Sequence, residues 1–134
     1  MAGPCERSMA LMRKRGFAVA KSEYWNPHAG RRIDLFTILD LVCLPAAGGY
    51  TVGVQSTTAP HISSRIAKIA EAEATPLLLK CGWRILVQGW RKKGGLWECR
   101  EVEFTEAMLR AKVGSVLPIG VPAGDTESME DIGF

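Results

Sequence analysis

Two strand-like runs, Tyr50 to Thr57 and Trp83 to Trp90, are separated by a segment whose apolar residues fall at helical spacing. In that segment Ile62, Ile66 and Ile69, with Ala67 and Ala70, mark one face of a helix. Ser63 or Ser64 is placed to cap its start. Pro76 breaks or kinks it, and Leu77 to Lys80 form another turn before Gly82. A strand, a helical stretch of about twenty residues and a second strand require a crossover, so the two strands are expected to be parallel neighbours.

The flanking segments fill out the same design. Residues 5–15 carry Met9, Leu11 and Met12 among charges, with Gly16 where a helix C-cap glycine sits, which predicts an amphipathic helix. Phe17-Ala18-Val19-Ala20 begins a strand expected to run to Tyr24 or Trp25, where Asn26-Pro27-His28-Ala29-Gly30 ends it. A strand over 37–44 and one over 50–57 are joined by Pro45 to Gly49, a hairpin length. After Trp90, Lys92-Lys93-Gly94-Gly95 turns into a strand from Leu96 to Phe104, and Thr105 with Glu106 opens a short helix to about Lys112.

The expected order is α-β-β-β-α-β-β-α. The class is α/β: a three-layer-like sandwich with a central mixed sheet whose first three strands form an antiparallel meander. Residues 1–113 are expected to be one domain, followed by a Gly/Pro-containing acidic tail over 114–134.

Length and composition agree. At 134 residues, 47% of them hydrophobic and 23% charged, the chain suits one soluble domain with a modest core. No apolar run approaches the roughly 20 residues of a membrane span. Arg7, Arg13, Lys14 and Arg15 interrupt any N-terminal signal core, so a cytoplasmic protein without a membrane partner is expected. The four cysteines, at 5, 43, 81 and 99, form no Cys-x-x-Cys pair, and only His28 and His61 accompany them, which argues against structural zinc. Cys43 and Cys81 read as small core residues. The net charge of +3 hides an asymmetry: four of the 14 acids lie in the tail and all 17 Lys and Arg precede it. Residues 1–112 therefore carry +7 (17 basic against 10 acidic), a balance that favours a polyanionic partner.

The residue that most needs a chemical reason is Asp40, set within Ile38-Leu39-Asp40-Leu41-Val42. A carboxylate in an apolar strand must be paired, hydrogen-bonded or bound to metal. On the next strand Gln55 and Thr57 are two apart and share a face. If the hairpin register sets Asp40 opposite them, a carboxylate, an amide oxygen and a hydroxyl meet at one sheet edge. Glu23 is positioned to add a second carboxylate, and Arg65 and Lys68, three apart on the following helix, can reach the same region.

This arrangement resembles the PD-(D/E)XK nuclease superfamily and is most similar to its Holliday-junction-resolvase-like branch and to small phage and bacterial relatives. The resemblance rests on a helix with an acid (Glu6), a strand beginning Gly16-Phe17-Ala18-Val19, the Asp40 strand and the strand bearing Gln55-x-Thr57, and it spans about Glu6 to Trp90. It implies a restriction-endonuclease-like core and a Mg²⁺- or Mn²⁺-dependent endonuclease acting on DNA, with branched or structured DNA as the substrate class. By position Asp40 matches the strand Asp, Gln55 the second acid and Thr57 the lysine that handles the attacking water. Asp34 competes with Asp40 as metal ligand, and Glu23 completes the implied metal set of Asp40, Gln55, Glu23 and Asp34. Gln55 keeps a ligating carbonyl without charge. Thr57 carries no cation, and the lysine of some relatives has moved to the neighbouring helix, which nominates Lys68, with Arg65 as a substitute.

Arg31-Arg32 and Arg91-Lys92-Lys93, read as turns, join Arg65 as candidate phosphate contacts. The four tryptophans, Trp25, Trp83, Trp90 and Trp97, recur along strands and read as core before base-stacking platforms, with Trp25 the best candidate for a substrate contact. Two other functional classes remain open: a catalytically inactive nuclease-fold DNA-binding module, and an oligomeric or partner-binding protein. A homodimer like that of resolvases is compatible with the resemblance.

Overall fold

A computed structural model describes residues 2–22 and 24–113. The chain opens with helix α1 (Pro4–Lys14), held at its start by Pro4 and by Glu6 Oε1, which accepts from Gly3 N at 3.1 Å. Gly16, at φ +95°, ends that helix in the left-handed conformation expected of a C-cap glycine. Then follow β1 (Phe17–Lys21), β2 (Tyr24–Asn26), β3 (Arg31–Ile33), β4 (Leu41–Pro45) and β5 (Thr51–Thr58). A 3₁₀ turn (Ala59–His61), helices α2 (Ile62–Glu71) and α3 (Thr75–Lys80), strands β6 (Trp83–Lys93) and β7 (Leu96–Phe104), and helix α4 (Glu106–Val113) complete it.

One five-stranded mixed sheet has the order β1-β4-β5-β6-β7. β1, β4 and β5 form the expected antiparallel meander, and the crossover through α2 and α3 makes β5 and β6 parallel. β7 returns antiparallel to β6 as the far edge. Alternation along the strands divides the core in two. Leu41, Cys43, Val52, Val54 and Leu86 pack under Met12 of α1. On the other face Ile85, Val87, Val102 and Phe104 pack under Ile62 and Ile69 of α2, Leu78 of α3 and Met108 of α4. The result is a sandwich of α1, sheet, and α2–α4.

Several expectations need correction. β1 stops at Lys21 rather than reaching Trp25, and a separate two-stranded hairpin, β2–β3, carries the residues that follow. Asn26 makes that hairpin: its Oδ1 accepts from His28 N at 2.9 Å and Ala29 N at 3.2 Å, an Asx turn that reverses the chain. Arg31 and Arg32 therefore lie on strand β3, not in a turn. Asp40 stands just ahead of β4, because residues 34–40 coil into a turn closed by a Leu35–Leu39 bridge. Neither Ser63 nor Ser64 caps α2; Ser64 Oγ donates to His61 O at 2.9 Å instead. Pro76 sits in the first turn of α3, where its missing N–H is harmless. Cys81 is exposed, whereas Cys43 is buried. Trp97 is 43% exposed, on a strand where core packing was expected. The tail over 114–134 lies outside the described residues. Among those described, no helix is long and apolar enough to cross a membrane.

Two glycines let α2 and the 34–40 turn sit against the sheet. A Cβ on Gly53 would come 2.7 Å from the Leu39 side chain, and one on Gly89 would come 2.5 Å from Ile62 and 3.0 Å from the Ala59 backbone. Because the Ala59 contact is backbone, Gly89→Ala is expected to lower unfolding free energy by about 1–3 kcal/mol in urea titration. Unchanged stability would contradict the seating of the 3₁₀ turn on β6.

Candidate functional site

The β4–β5 register sets Leu41 opposite Val54, so one residue further out Asp40 faces Gln55, as the sequence suggested. Asp40 N donates to Val54 O at 2.8 Å, and Ser22 N donates to Asp40 O at 2.8 Å, which fixes the Asp40 backbone between β1 and β5. Its carboxylate oxygen Oδ2 accepts from Gln55 Nε2 at 2.8 Å and from Ser56 N at 2.7 Å. Donating that amide N–H turns the other end of the Gln55 side chain inward. Gln55 is 1% exposed, and its Oε1 is buried with no hydrogen-bond partner among the described residues. An orphaned buried carbonyl costs about 1–3 kcal/mol, and Gln88 Oε1, in the polar cluster on the other face of the sheet, is in the same state.

The 34–40 turn brings a second carboxyl to the same place. Phe36 and Thr37 both take positive φ, 52° and 66°, a conformation that costs roughly 1 kcal/mol per non-glycine residue. Thr37 N donates to Asp34 O at 2.9 Å and Leu39 N to Leu35 O at 3.0 Å, and buried Ile38 and Leu39 anchor the turn in the core. This strained reversal sets the Asp34 carboxyl against that of Asp40. Burial first, and then the Asp34 carboxyl, push Asp40 up from the usual 3.8 to about 7, against the opposing pull of Ser56 N–H and the Gln55 amide. Two carboxyls at such separation hold a proton between them or share a cation.

A cleft of about 250 Å³ opens beside Asp34, lined by Arg31, Ile33, Asp34, Thr37 and Lys68. It unites a carboxylate with two cations from separate elements, β3 and α2, so Lys68 is the helix-borne lysine the structure brings to this region. Arg31 joins it from the β2–β3 hairpin. Arg65, half-buried on α2, does not line this cleft. Thr57 is 4% exposed on the same sheet face as Gln55, beside Gly89 of β6, and supplies no cation. Glu23 lies outside the described residues, so its place in the site stays an expectation. Glu6 is engaged at the start of α1 and with Lys21 Nζ at 3.5 Å. Arg91, Lys92 and Lys93 lie on β6 beyond the core sheet, not in a turn.

Sequence reasoning missed the support behind Asp40. Ser56, whose N–H holds the carboxylate, places its Oγ 2.8 Å from Ser8 Oγ of α1, and Trp90 Nε1 donates to Ser8 Oγ at 2.9 Å. Beside them Glu101 Oε2 accepts from Gln88 Nε2 at 2.7 Å and from Arg15 at 2.7 Å. Ser8, Ser56, Gln88 and Glu101 are all buried. The available signal was polar residues at inward positions of α1, β5, β6 and β7.

The carboxyls of Asp34 and Asp40 meet beside β5, and Gln55, whose Nε2 faces Asp40, brings an amide oxygen to the same neighbourhood. All are hard donors, which suits Mg²⁺ or Mn²⁺ better than soft metals. Among the described residues no three His, Cys, Asp or Glu side chains cluster. No family model, curated protein or solved structure matches the chain.

A pH dependence follows. With its folded-state value raised, Asp40 contributes stability that is fully present below about pH 3.8 and lost as pH climbs through about 7. Asp40→Asn, which removes the buried charge, should therefore match wild type near pH 4 and exceed it at pH 8 by a few kcal/mol, up to about 4. Millimolar Mg²⁺ should raise the melting temperature of wild type at pH 8 and leave the variant unmoved. Parallel pH profiles for the two proteins would contradict a buried, proton-sharing Asp40.

Proposed function

We propose that the chain is a Mg²⁺-dependent endodeoxyribonuclease with a restriction-endonuclease-like core of the PD-(D/E)XK kind, acting on structured or branched DNA. The observation that carries this reading is the Asp34–Asp40 carboxyl pair, held by Gln55 and Ser56 next to a cleft that Arg31 and Lys68 line. The helix, antiparallel meander and parallel crossover follow the element order that the resemblance implies. The basic excess of residues 1–112 suits DNA as the partner.

Asp34, Asp40 and Gln55 Oε1 would hold the metal, which when bound supplies a Lewis acid for the scissile phosphate and lowers the pKa of its water. Asp40 is kept in place by Ser56 N–H and Gln55 Nε2, so the ligands are oriented before substrate arrives. Lys68 faces the cleft from α2 and offers an ammonium to the attacking water or to charge developing on the phosphoryl oxygens. Arg31, on the opposite wall, holds the adjacent phosphate. In the reaction the water oxygen bonds to phosphorus, and the bond from phosphorus to a sugar oxygen breaks.

A second reading, a nuclease-fold DNA-binding module without catalysis, draws on the buried Thr57 in the lysine position. Cleavage of duplex, single-stranded and junction DNA with Mg²⁺ or Mn²⁺ separates them. Asp40→Asn and Lys68→Ala should each slow cutting about a hundredfold or more while DNA binding persists. No cutting of any substrate would leave the binding module standing. Gln55→Glu offers an orthogonal check: it should destabilise the metal-free chain by setting a third carboxylate beside Asp40, and tighten Mg²⁺ binding. Weaker Mg²⁺ binding in that variant would count against a ligand role for position 55.

A further inference from the structure

The β6–β7 ribbon runs past the end of β5. Thr58 pairs with Trp90, and beyond it Arg91 to Lys93 pair only with Leu96 to Glu98. Every residue from Arg91 to Glu98 is exposed, so about 10 Å of two-stranded ribbon stands clear of the sheet. Gly94 and Gly95, at φ +58° and +82°, close it with a tight turn suited to a hairpin tip. Cross-strand partners share a face: Lys93 with Leu96, Lys92 with Trp97 and Arg91 with Glu98. Arg91 is already held by Glu98 at 2.5 Å, so Lys92 and Lys93 are the forward cations of the ribbon.

The tip also carries apolar groups with no core to join. Leu96 is 75% exposed, more than any other large apolar side chain among the described residues. Beside it, Trp97 is steadied from α1 by Arg7, whose guanidinium carbon lies 3.8 Å from the ring centroid. A backed aromatic ring is a stacking platform, and every nucleobase has a face to stack. An apolar side chain at a narrow tip can press between base steps and unstack them. The flanking lysines suit the phosphates on either side.

We propose that this ribbon reads the point where duplex DNA opens into unpaired strands. Leu96 presses on the last base pair, Trp97 with Arg7 behind it stacks the freed base, and Lys92 and Lys93 hold the neighbouring phosphates. This rests on the proposed function in taking branched DNA as the partner, and it assigns recognition of the branch point to a named element, the β6–β7 ribbon. A distance follows. Gln55 pairs with Val87, and six residues separate Val87 from Lys93, so the tip lies about 20 Å along β6 from the level of the site. At about 3.4 Å per base pair, cleavage is expected roughly six base pairs from the branch.

The test uses the full chain without divalent cations and forked DNA with 2-aminopurine at the branch point. Wild type should bind the fork at least fivefold more tightly than plain duplex and raise the fluorescence severalfold. Leu96→Ser, a change at an exposed position, should abolish the fluorescence rise, and Trp97→Ala should remove the fork preference. A joint Lys92→Ala and Lys93→Ala variant should weaken binding to both DNAs and flatten its salt dependence. Fork preference and fluorescence retained in both Leu96→Ser and Trp97→Ala would overturn the proposal, as would wild type that binds no DNA or ignores the fork. If wild type recognises the fork yet cuts nothing with Mg²⁺, the nuclease reading fails while the ribbon assignment holds.

Discussion

One carboxylate oxygen, Asp40 Oδ2, receives hydrogen bonds from two consecutive residues of β5, the Gln55 side chain and the Ser56 backbone. Each bond sets something else. The bond from Ser56 ties the turn before β4 to the central strand and draws Asp34 in beside Asp40. The bond from Gln55 commits that side chain's nitrogen and leaves its oxygen buried and unpaired. Burial and the neighbouring Asp34 carboxyl both oppose ionisation of Asp40, so a charged Asp40 is held there at a cost that the hydrogen bonds from Ser56 and Gln55 only partly offset.

The scaffold provides that rigidity from both faces. Beneath the sheet, Ser56 and Trp90 meet at Ser8, so α1, β5 and β6 are joined by side-chain hydrogen bonds behind the carboxylate. Above it, the close approach at Gly53 and Gly89 seats Leu39 and Ile62 without a Cβ in the way. The parallel pairing of β5 and β6 links the two halves, since Gln55, Ser56 and Thr57 stand beside Val87, Gln88 and Gly89. Shifting that register by one residue would send Gln55 to the α1 face and bury Val54 against α2.

Periodicity carried most of the fold. The spacing of Ile62, Ile66 and Ile69 between two strand runs fixes a crossover, and the Pro45–Gly49 link fixes a hairpin, so strand order was legible. What escaped depended on local backbone chemistry. Ile38-Leu39-Asp40 reads as strand because buried turn residues are as apolar as strand residues, and nothing in Phe36-Thr37 announces two positive φ values. The β2–β3 hairpin was hidden because its Asx turn looked only like a break. Asp40 opposite Gln55 was predicted from hairpin register, and Lys68 from helical spacing. Ser56 was not, since its main contribution is a backbone N–H, which no residue type reveals. Trp97 reads as core from sequence because alternation marks a face without telling whether anything covers it.

We propose Asp34, Asp40 and Gln55 as a divalent-cation site whose carboxyl pair holds a proton until the ion binds. Isothermal titration of the full chain with Mn²⁺, run at pH 6 and pH 8 in buffers of different ionisation enthalpy, measures both halves of this. Binding at one site is expected, with protons released at pH 6 and none at pH 8, and with that binding lost in Asp40→Asn. Equal Mn²⁺ binding by wild type and Asp40→Asn, or no binding by wild type at either pH, would contradict it.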